Sequence, residues 1–224
     1  MSETWKNINK DLYAYDNYAR FKEIYDFMLN NIGSNNKICD LGCGDGSLGE
    51  LLIKKNNSVF GVDDVAYQVN IAKKKGINAF VADLNKDNLQ FDDNTFDTVI
   101  ATEVIEHLLN PDNLLNEAYR ILKDNGIFII TTPNLASLGR RLLLLFGKNP
   151  IIEISPQEEH AVGHLRYFVK ETLYRILKKH NFVPYKFCSD VVNFNMTGEI
   201  RSHLLAKIFP GFGRTLICVC RKNK

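Results

Sequence analysis

The chain has 224 residues, 45% of them apolar and 24% charged, with 28 Lys and Arg against 26 Asp and Glu. That balance suits one α/β domain with a few additions and excludes wholesale disorder. The net charge of +2 implies no nucleic-acid partner, the polar opening Met1-Ser2-Glu3-Thr4-Trp5-Lys6 lacks the apolar core of a secretion signal, and the longest strongly apolar run, 142–146, is too short to span a bilayer, so a cytoplasmic protein is expected.

Residues 11–31 carry Leu12, Tyr15, Tyr18, Ile24, Phe27 and Met28 at helical spacings, which predicts one or two lead-in helices. A turn at 33–36 leads to a short buried strand, Lys37-Ile38-Cys39-Asp40-Leu41. Glycines 42, 44 and 46 follow, and Leu48, Leu51 and Leu52 mark a helix. A second strand, 58–62, ends at Asp63, and Asp64 is expected to cap the helix running to Lys75 by accepting a free amide hydrogen. A third strand, 78–82, ends at Asp83, and a fourth covers 96–102. Asn110-Pro111 opens a helix to about Lys123, with proline at the first helical position. Asp124-Asn125-Gly126 reads as a turn into a fifth strand, 127–131.

Beyond Asn134 the rhythm breaks. Leu135, Leu138, Leu142 and Leu145 share a helical face beside Arg140 and Arg141. The plainer reading of 135–146 is a lid helix over the site; the sharper one is an interfacial helix that meets a lipid-like substrate or a membrane. A loop with His160 and His164, a helix over 170–180, a strand over 182–191, an irregular stretch at 192–212 and a last strand at 215–221 complete the chain. The five cysteines, Cys39, Cys43, Cys188, Cys218 and Cys220, have no C-x-x-C spacing and read as buried reduced thiols rather than zinc ligands.

Strands alternating with helices predict a doubly wound parallel sheet, with strand C-terminal ends on one edge. Asp40, Asp63, Asp83, Thr102 and Thr132 gather at that edge, where open α/β sheets bind ligands. Gly42 and Gly44 let the backbone approach a ligand closely. The spacing is G-x-G-x-G, and Asp40 stands two residues before the first glycine. An anion there repels a pyrophosphate but holds the cationic amino group of a methionine moiety, which favours S-adenosylmethionine over a nicotinamide dinucleotide. Asp63 is then the ribose acid, and Asp83 with Leu84 flanks adenine. Thr102 completes the expected cofactor set.

Ile38-Cys39-Asp40-Leu41-Gly42-Cys43-Gly44-Asp45-Gly46 resembles the first motif of class I methyltransferases. Gly61-Val62-Asp63, Ala82-Asp83-Leu84, the segments 96–101 and 104–107, and 126–134 follow in that family's order. The resemblance covers about residues 36–134 and implies a Rossmann-like, seven-stranded sheet with an antiparallel last strand. It implies one domain over 1–224: a helical lead-in (1–35), a cofactor half (36–134) and a substrate half with a lid-like insertion (135–224). His107, after the fourth strand, is the candidate general base. Glu103, Glu106 and His107 form E-x-x-E-H, which resembles the divalent-metal site of small-RNA 3′-end methyltransferases and also occurs in ubiquinone-biosynthesis O-methyltransferases. His160 or His164 is the candidate distant ligand; whether a metal binds stays open. Residues 132–134 through 164–168 are similar to the MetW family. The expected activity is O-methylation of a small-molecule or lipid-precursor hydroxyl, with a non-catalytic module assisting a partner enzyme as the alternative.

Overall fold

The computed structural model describes residues 17–150, 163–194 and 200–223. Helix α1 (Asn17–Asn31) leads in, bent at the non-helical Phe21; residues 11–16 of the predicted lead-in lie outside the described residues. Then come β1 (Lys37–Leu41), α2 (Ser47–Ile53), β2 (Ser58–Asp63), α3 (Ala66–Lys74), β3 (Asn78–Val81) and β4 (Phe96–Thr102). A 3₁₀ turn (Ile105–His107) precedes α4 (Pro111–Ile121) and β5 (Leu122–Pro133). The rest comprises α5 (Leu138–Leu145), α6 (Lys170–Lys179), β6 (Phe182–Cys188), β7 (Val192–Asn193), β8 (Arg201–Ser202), α7 (His203–Ile208) and β9 (Thr215–Lys222).

Seven strands form one sheet in the order β3-β2-β1-β4-β5-β9-β6. β1 to β5 pair in parallel, and β9 runs antiparallel to both β5 and β6. This is the expected Rossmann-like sheet with its last strand reversed. Successive strand residues alternate between two buried layers, as the pleat requires. Val99, Ala101, Phe128 and Ile130 meet α4 and α6 on one face. Ile38, Val59, Ile100 and Ile129 meet α1, α2 and α3 on the other. Both faces are dry, which explains the near-continuous apolar strands in the sequence.

Three local expectations need correction. The N-cap of α3 is Val65, which carries no side-chain cap, and Asp63 Oδ1 accepts from Val65 N at 2.9 Å. The acid that braces this turn is therefore Asp63, not Asp64. The predicted turn at 124–126 lies inside β5. Leu122 pairs with Phe96, then the register steps to Thr98 and Ile127, so residues 123–126 bulge outward. A Cβ on Gly126 would meet Asp97 O at 2.9 Å as well as Leu122 Cδ1 at 2.6 Å, so any side chain there would force the bulge to shift. The stretch at 192–212 is more regular than expected: β7 and β8 pair, and Ser202 Oγ caps α7 by accepting from Leu205 N at 3.2 Å. All five cysteines are free thiols, and four are buried, with Cys188 only half-buried.

Candidate active site

The loop between β1 and α2 is built from left-handed backbone. Gly42, Gly44 and Gly46 have φ of 83°, 52° and 77°. Gly42 N and Cys43 N both donate to Val62 O, at 2.7 and 3.0 Å, which binds the loop to β2. A Cβ on Gly42 would strike Val104 Cγ2 at 2.3 Å, whereas one on Gly44 would meet nothing within 4 Å. Gly42 thus serves packing, and Gly44 faces open space beside the strand ends. Asp45 fixes the loop from outside: its carboxylate accepts from Ser47 N, Ser47 Oγ and Lys75 Nζ, at 3.1, 2.9 and 2.8 Å. Burial works against ionisation of Asp45, but those bonds hold its carboxyl below the usual range.

Asp40 is 3% exposed, and its Oδ1 accepts no hydrogen bond from the chain. Burial, and then the nearby Asp63, push its carboxyl up to about 7. A buried acid in that state gains most from a cation brought beside it. Asp63 Oδ2 accepts from Gly44 N at 3.0 Å while Oδ1 accepts from Val65 N at 2.9 Å. Asp83 follows β3, and its Oδ1 accepts from Asn85 N and Nδ2 at 2.9 and 2.8 Å. Burial opposes ionisation there, but Asn85 and Lys86 hold the carboxyl low. Leu84 beside it is buried. Thr102 ends β4, and its buried Oγ1 has no hydrogen-bond partner. The two internally unmatched oxygens and the open side of Gly44 suit a ligand with a cationic amino group and hydroxyls, which S-adenosylmethionine has.

A second group stands beyond β4. Glu103 has φ 54°, unusual for a side chain of its size, and is held there by β5. Glu103 N donates to Thr131 O, and Thr131 Oγ1 donates to Glu103 Oε1 at 2.8 Å. The following 3₁₀ turn carries Glu106, 1% exposed, whose Oε2 accepts from Thr132 Oγ1 at 2.9 Å. Glu106 Oε1 lies 3.9 Å from Nε2 of both His107 and His164. The two imidazole rings are 4.8 Å apart. His107 Nδ1 lies 3.2 Å from Gly163 O. A carbonyl can only accept, so Nδ1 donates to it, and in the neutral ring the lone pair then lies on Nε2.

The sequence named His164 only as one of two distant candidates; the structure brings it to His107, while His160 lies outside the described residues. Leu165 and Arg166, which the sequence marked only as part of a stretch similar to the MetW family, accomplish this. Leu165 N and Arg166 N donate to Glu106 O, at 2.8 and 3.1 Å, and the Arg166 guanidinium donates to Leu108 O and Leu109 O. Glu106, His107 and His164 offer ligand atoms within 4.8 Å of one another, while Glu103 turns to Thr131. A groove of about 660 Å³ at the opposite edge of the sheet, lined by Asn94, Asp97 and Lys123 among others, touches none of these residues.

Comparison with known proteins agrees with this geometry. A methyltransferase domain family model matches residues 13–186. A ubiquinone biosynthesis O-methyltransferase of Pelagibacter ubique is 30% identical over 192 residues, 80% of this chain and 75% of the relative. The mitochondrial enzyme of that name from Rattus norvegicus is 35% identical over 137 residues, which are 57% of this chain but only 39% of the rat protein. Among solved structures, a methyltransferase from Thermotoga maritima, described as a possible histamine N-methyltransferase, superposes with a TM-score of 0.66 at 20% identity, over 93% of this chain and 96% of the other. The chain belongs to the methyltransferase domain family and is a class I S-adenosylmethionine-dependent methyltransferase.

Proposed function

We propose that the chain methylates a hydroxyl oxygen of a small-molecule or lipid-precursor acceptor, with His107 as general base. The relatives named for ubiquinone biosynthesis support an oxygen acceptor. The observation that carries the base assignment is the bond between His107 Nδ1 and Gly163 O, because it leaves Nε2 able to take a proton.

In this reading Asp40 faces the cofactor's amino group, and Gly42 and Gly44 let its methionine end lie against the loop. Asp63 accepts from the ribose hydroxyls, Asp83 and Leu84 flank adenine, and Thr102 lines the methionine side. S-adenosylmethionine supplies a methyl group activated by its sulfonium. His107 Nε2 accepts the proton of the acceptor hydroxyl as the oxygen becomes nucleophilic. The buried Glu106 carboxylate, 3.9 Å away, then stabilises the imidazolium. Alignment of the two reactants supplies the rest, which reaches about 7–11 kcal/mol in favourable cases.

The test is S-adenosylhomocysteine release over a panel of quinone-precursor, polyketide, sugar and fatty-acid hydroxyls. His107→Gln is expected to lower kcat by roughly 10²–10⁴-fold while cofactor affinity holds. Methylation of an amine, with no hydroxyl turned over, would overturn the oxygen assignment.

A second reading rests on the cluster of three donors. Glu106, His107 and His164 would hold a divalent cation that binds the acceptor oxygen and lowers its pKa. Stoichiometric metal in the purified protein, with turnover lost to a chelator and restored by the cation, separates it from the base reading.

The helix α5 buries none of its residues. That supports membrane or lipid-substrate contact through 135–146 over a lid that serves a core.

A further inference from the structure

We infer that Asn85 and Arg166 are positioning residues that grip residues 108–110 from two sides and so tie the ring of His107 to the adenine end of the cofactor site. The inference rests on the places proposed above for adenine at Asp83 and for the base at His107.

The segment between the 3₁₀ turn and α4 is held by hydrogen bonds more than by burial. Leu108 is buried, but Leu109 is 68% exposed and Asn110 is exposed too. Leu109 N and Asn110 N both donate to Asn85 Oδ1, at 2.7 and 3.1 Å, and Asn110 Nδ2 donates to Asn85 O at 3.1 Å. Asn85 is fixed in turn by Asp83, whose Oδ1 accepts from its backbone and side-chain nitrogens. From α4, Asn113 Nδ2 donates to Leu84 O at 3.1 Å and fastens the same strip. The amides of 109 and 110 are therefore satisfied by the loop that follows β3.

The carbonyls are satisfied from the other side. Arg166 Nη1 donates to Leu108 O at 2.6 Å, and Nη2 donates to Leu109 O at 2.8 Å. Both acceptors are backbone carbonyls, so the planar fork of the guanidinium sets geometry rather than pairing charge. Two residues on, Phe168 is buried, and its carbonyl accepts from Leu135 N at 2.9 Å, which anchors the strand-like segment beyond the end of β5. Three residues before Arg166, Gly163 turns with φ 75° and brings its carbonyl to His107 Nδ1. That carbonyl decides which nitrogen of the neutral ring holds the proton. A polar chain thus runs from Asp83 through Asn85, residues 108–110, Arg166 and Gly163 to His107. Neither Asn85 nor Arg166 needs to touch the acceptor for this to hold.

The experiment is magnetic resonance of the full chain with ¹⁵N-labelled histidine, with a chelator present so that no cation fixes the rings. At about pH 8.5 an ordinary imidazole is neutral, and its nitrogen shifts report the tautomer. His107→Gln assigns the His107 signals by their loss. The wild type is expected to show one tautomer at His107, with the proton on Nδ1. Arg166→Lys keeps the charge but loses the fork, and is expected to give mixed tautomers there. Asn85→Ala is expected to do the same. A cooperative thermal transition verifies that each variant is folded; where Asn85→Ala lacks one, Asn85→Asp, which keeps the acceptor but repels Asp83, replaces it. Calorimetric titration with S-adenosylhomocysteine supplies the second readout. Arg166→Lys, outside the proposed cofactor set, is expected to lower its affinity about threefold or more, and the double variant should bind no more weakly than Asn85→Ala alone. A single Nδ1-protonated ring retained in folded Arg166→Lys, or unchanged affinity in that variant, would overturn the inference, as would additive losses in the double variant. Tautomer loss in both variants, beside full turnover of a hydroxyl by His107→Gln, would leave the positioning standing and remove the base assignment.

Discussion

Two regions meet along one edge of the sheet and are built on opposite terms. At the C-terminal edge of the sheet β1 ends at the buried Asp40, β2 at the half-buried Asp63, which accepts from two backbone amides, and β4 at Thr102. Beyond β5, α5 and α7 bury almost nothing and present large apolar side chains outward. The first region is held by what it excludes from water. The second keeps most of its described side chains at least partly in contact with water. A ligand of fixed shape, bound in every turnover, rewards a rigid cradle, whereas an apolar or variable partner is met by exposed side chains.

The contrast can be broken first by deleting matched aromatic side chains. Phe128, fully buried on β5 in the layer shared with α4 and α6, is expected to cost about 3–5 kcal/mol of stability on replacement by alanine. Urea unfolding measures this. A loss comparable to that of an exposed site would mean that the sheet tolerates a cavity that its packing does not suggest.

Next in size is the acid at the end of β2. Asp63→Ala removes the acceptor for Gly44 N as well as the proposed ribose partner. The expected loss of S-adenosylhomocysteine affinity is about 100-fold, from two hydrogen bonds to a charged group. Calorimetric titration reads it, and unchanged affinity would remove the ribose assignment.

Asp40 gives a smaller but sharper signature. Its carboxyl in the free protein is raised to about 7, so the acid is largely protonated below that pH and ionised above it. The cofactor's ammonium favours the ionised form. Affinity for S-adenosylhomocysteine should therefore climb as pH rises through about 7, with proton release on binding near neutrality. Asp40→Asn should flatten this dependence and weaken binding about tenfold at pH 8. A pH slope that survives in the variant would assign it to another group.

The smallest expected effect is the most diagnostic of the comparison. Phe146→Ala, at an exposed aromatic, should change stability by less than about 0.5 kcal/mol. A loss near that of Phe128 would mean that α5 is covered by the chain itself.

How far the sequence could be read follows the same division. The alternation of strands and helices, the glycine loop and the positions of Asp40, Asp63 and Asp83 at strand ends were legible because each is a local pattern that the sheet repeats. The step in β5 was not: Asp124-Asn125-Gly126 has the chemistry of a turn, and only pairing with β4 turns it into a bulge. Asp64 and Asp63 are equally plausible caps by composition, and the loop at Gly44 decides between them. The meeting of His164 with His107 depends on Arg166 reaching the carbonyls of 108 and 109, a contact between residues far apart in the chain. The bond between Thr132 and Glu106 likewise needs two strands in register before it exists.

The reversed strand has a consequence for how the protein is made. β9 fills the slot between β5 and β6 and is the last described strand in chain order. Until residues 215–222 have left the ribosome, the inner edge of β5 has no neighbour, and Phe128 and Ile130 lack the Cys218 and Leu216 side of their layer. The first five strands can pair as they emerge, but the sheet closes only by insertion of the newest segment into its interior. Between the emergence of β5 and that of β9 such a nascent chain carries an open, apolar strand edge, which makes chaperone contact and slow late docking natural features of its birth.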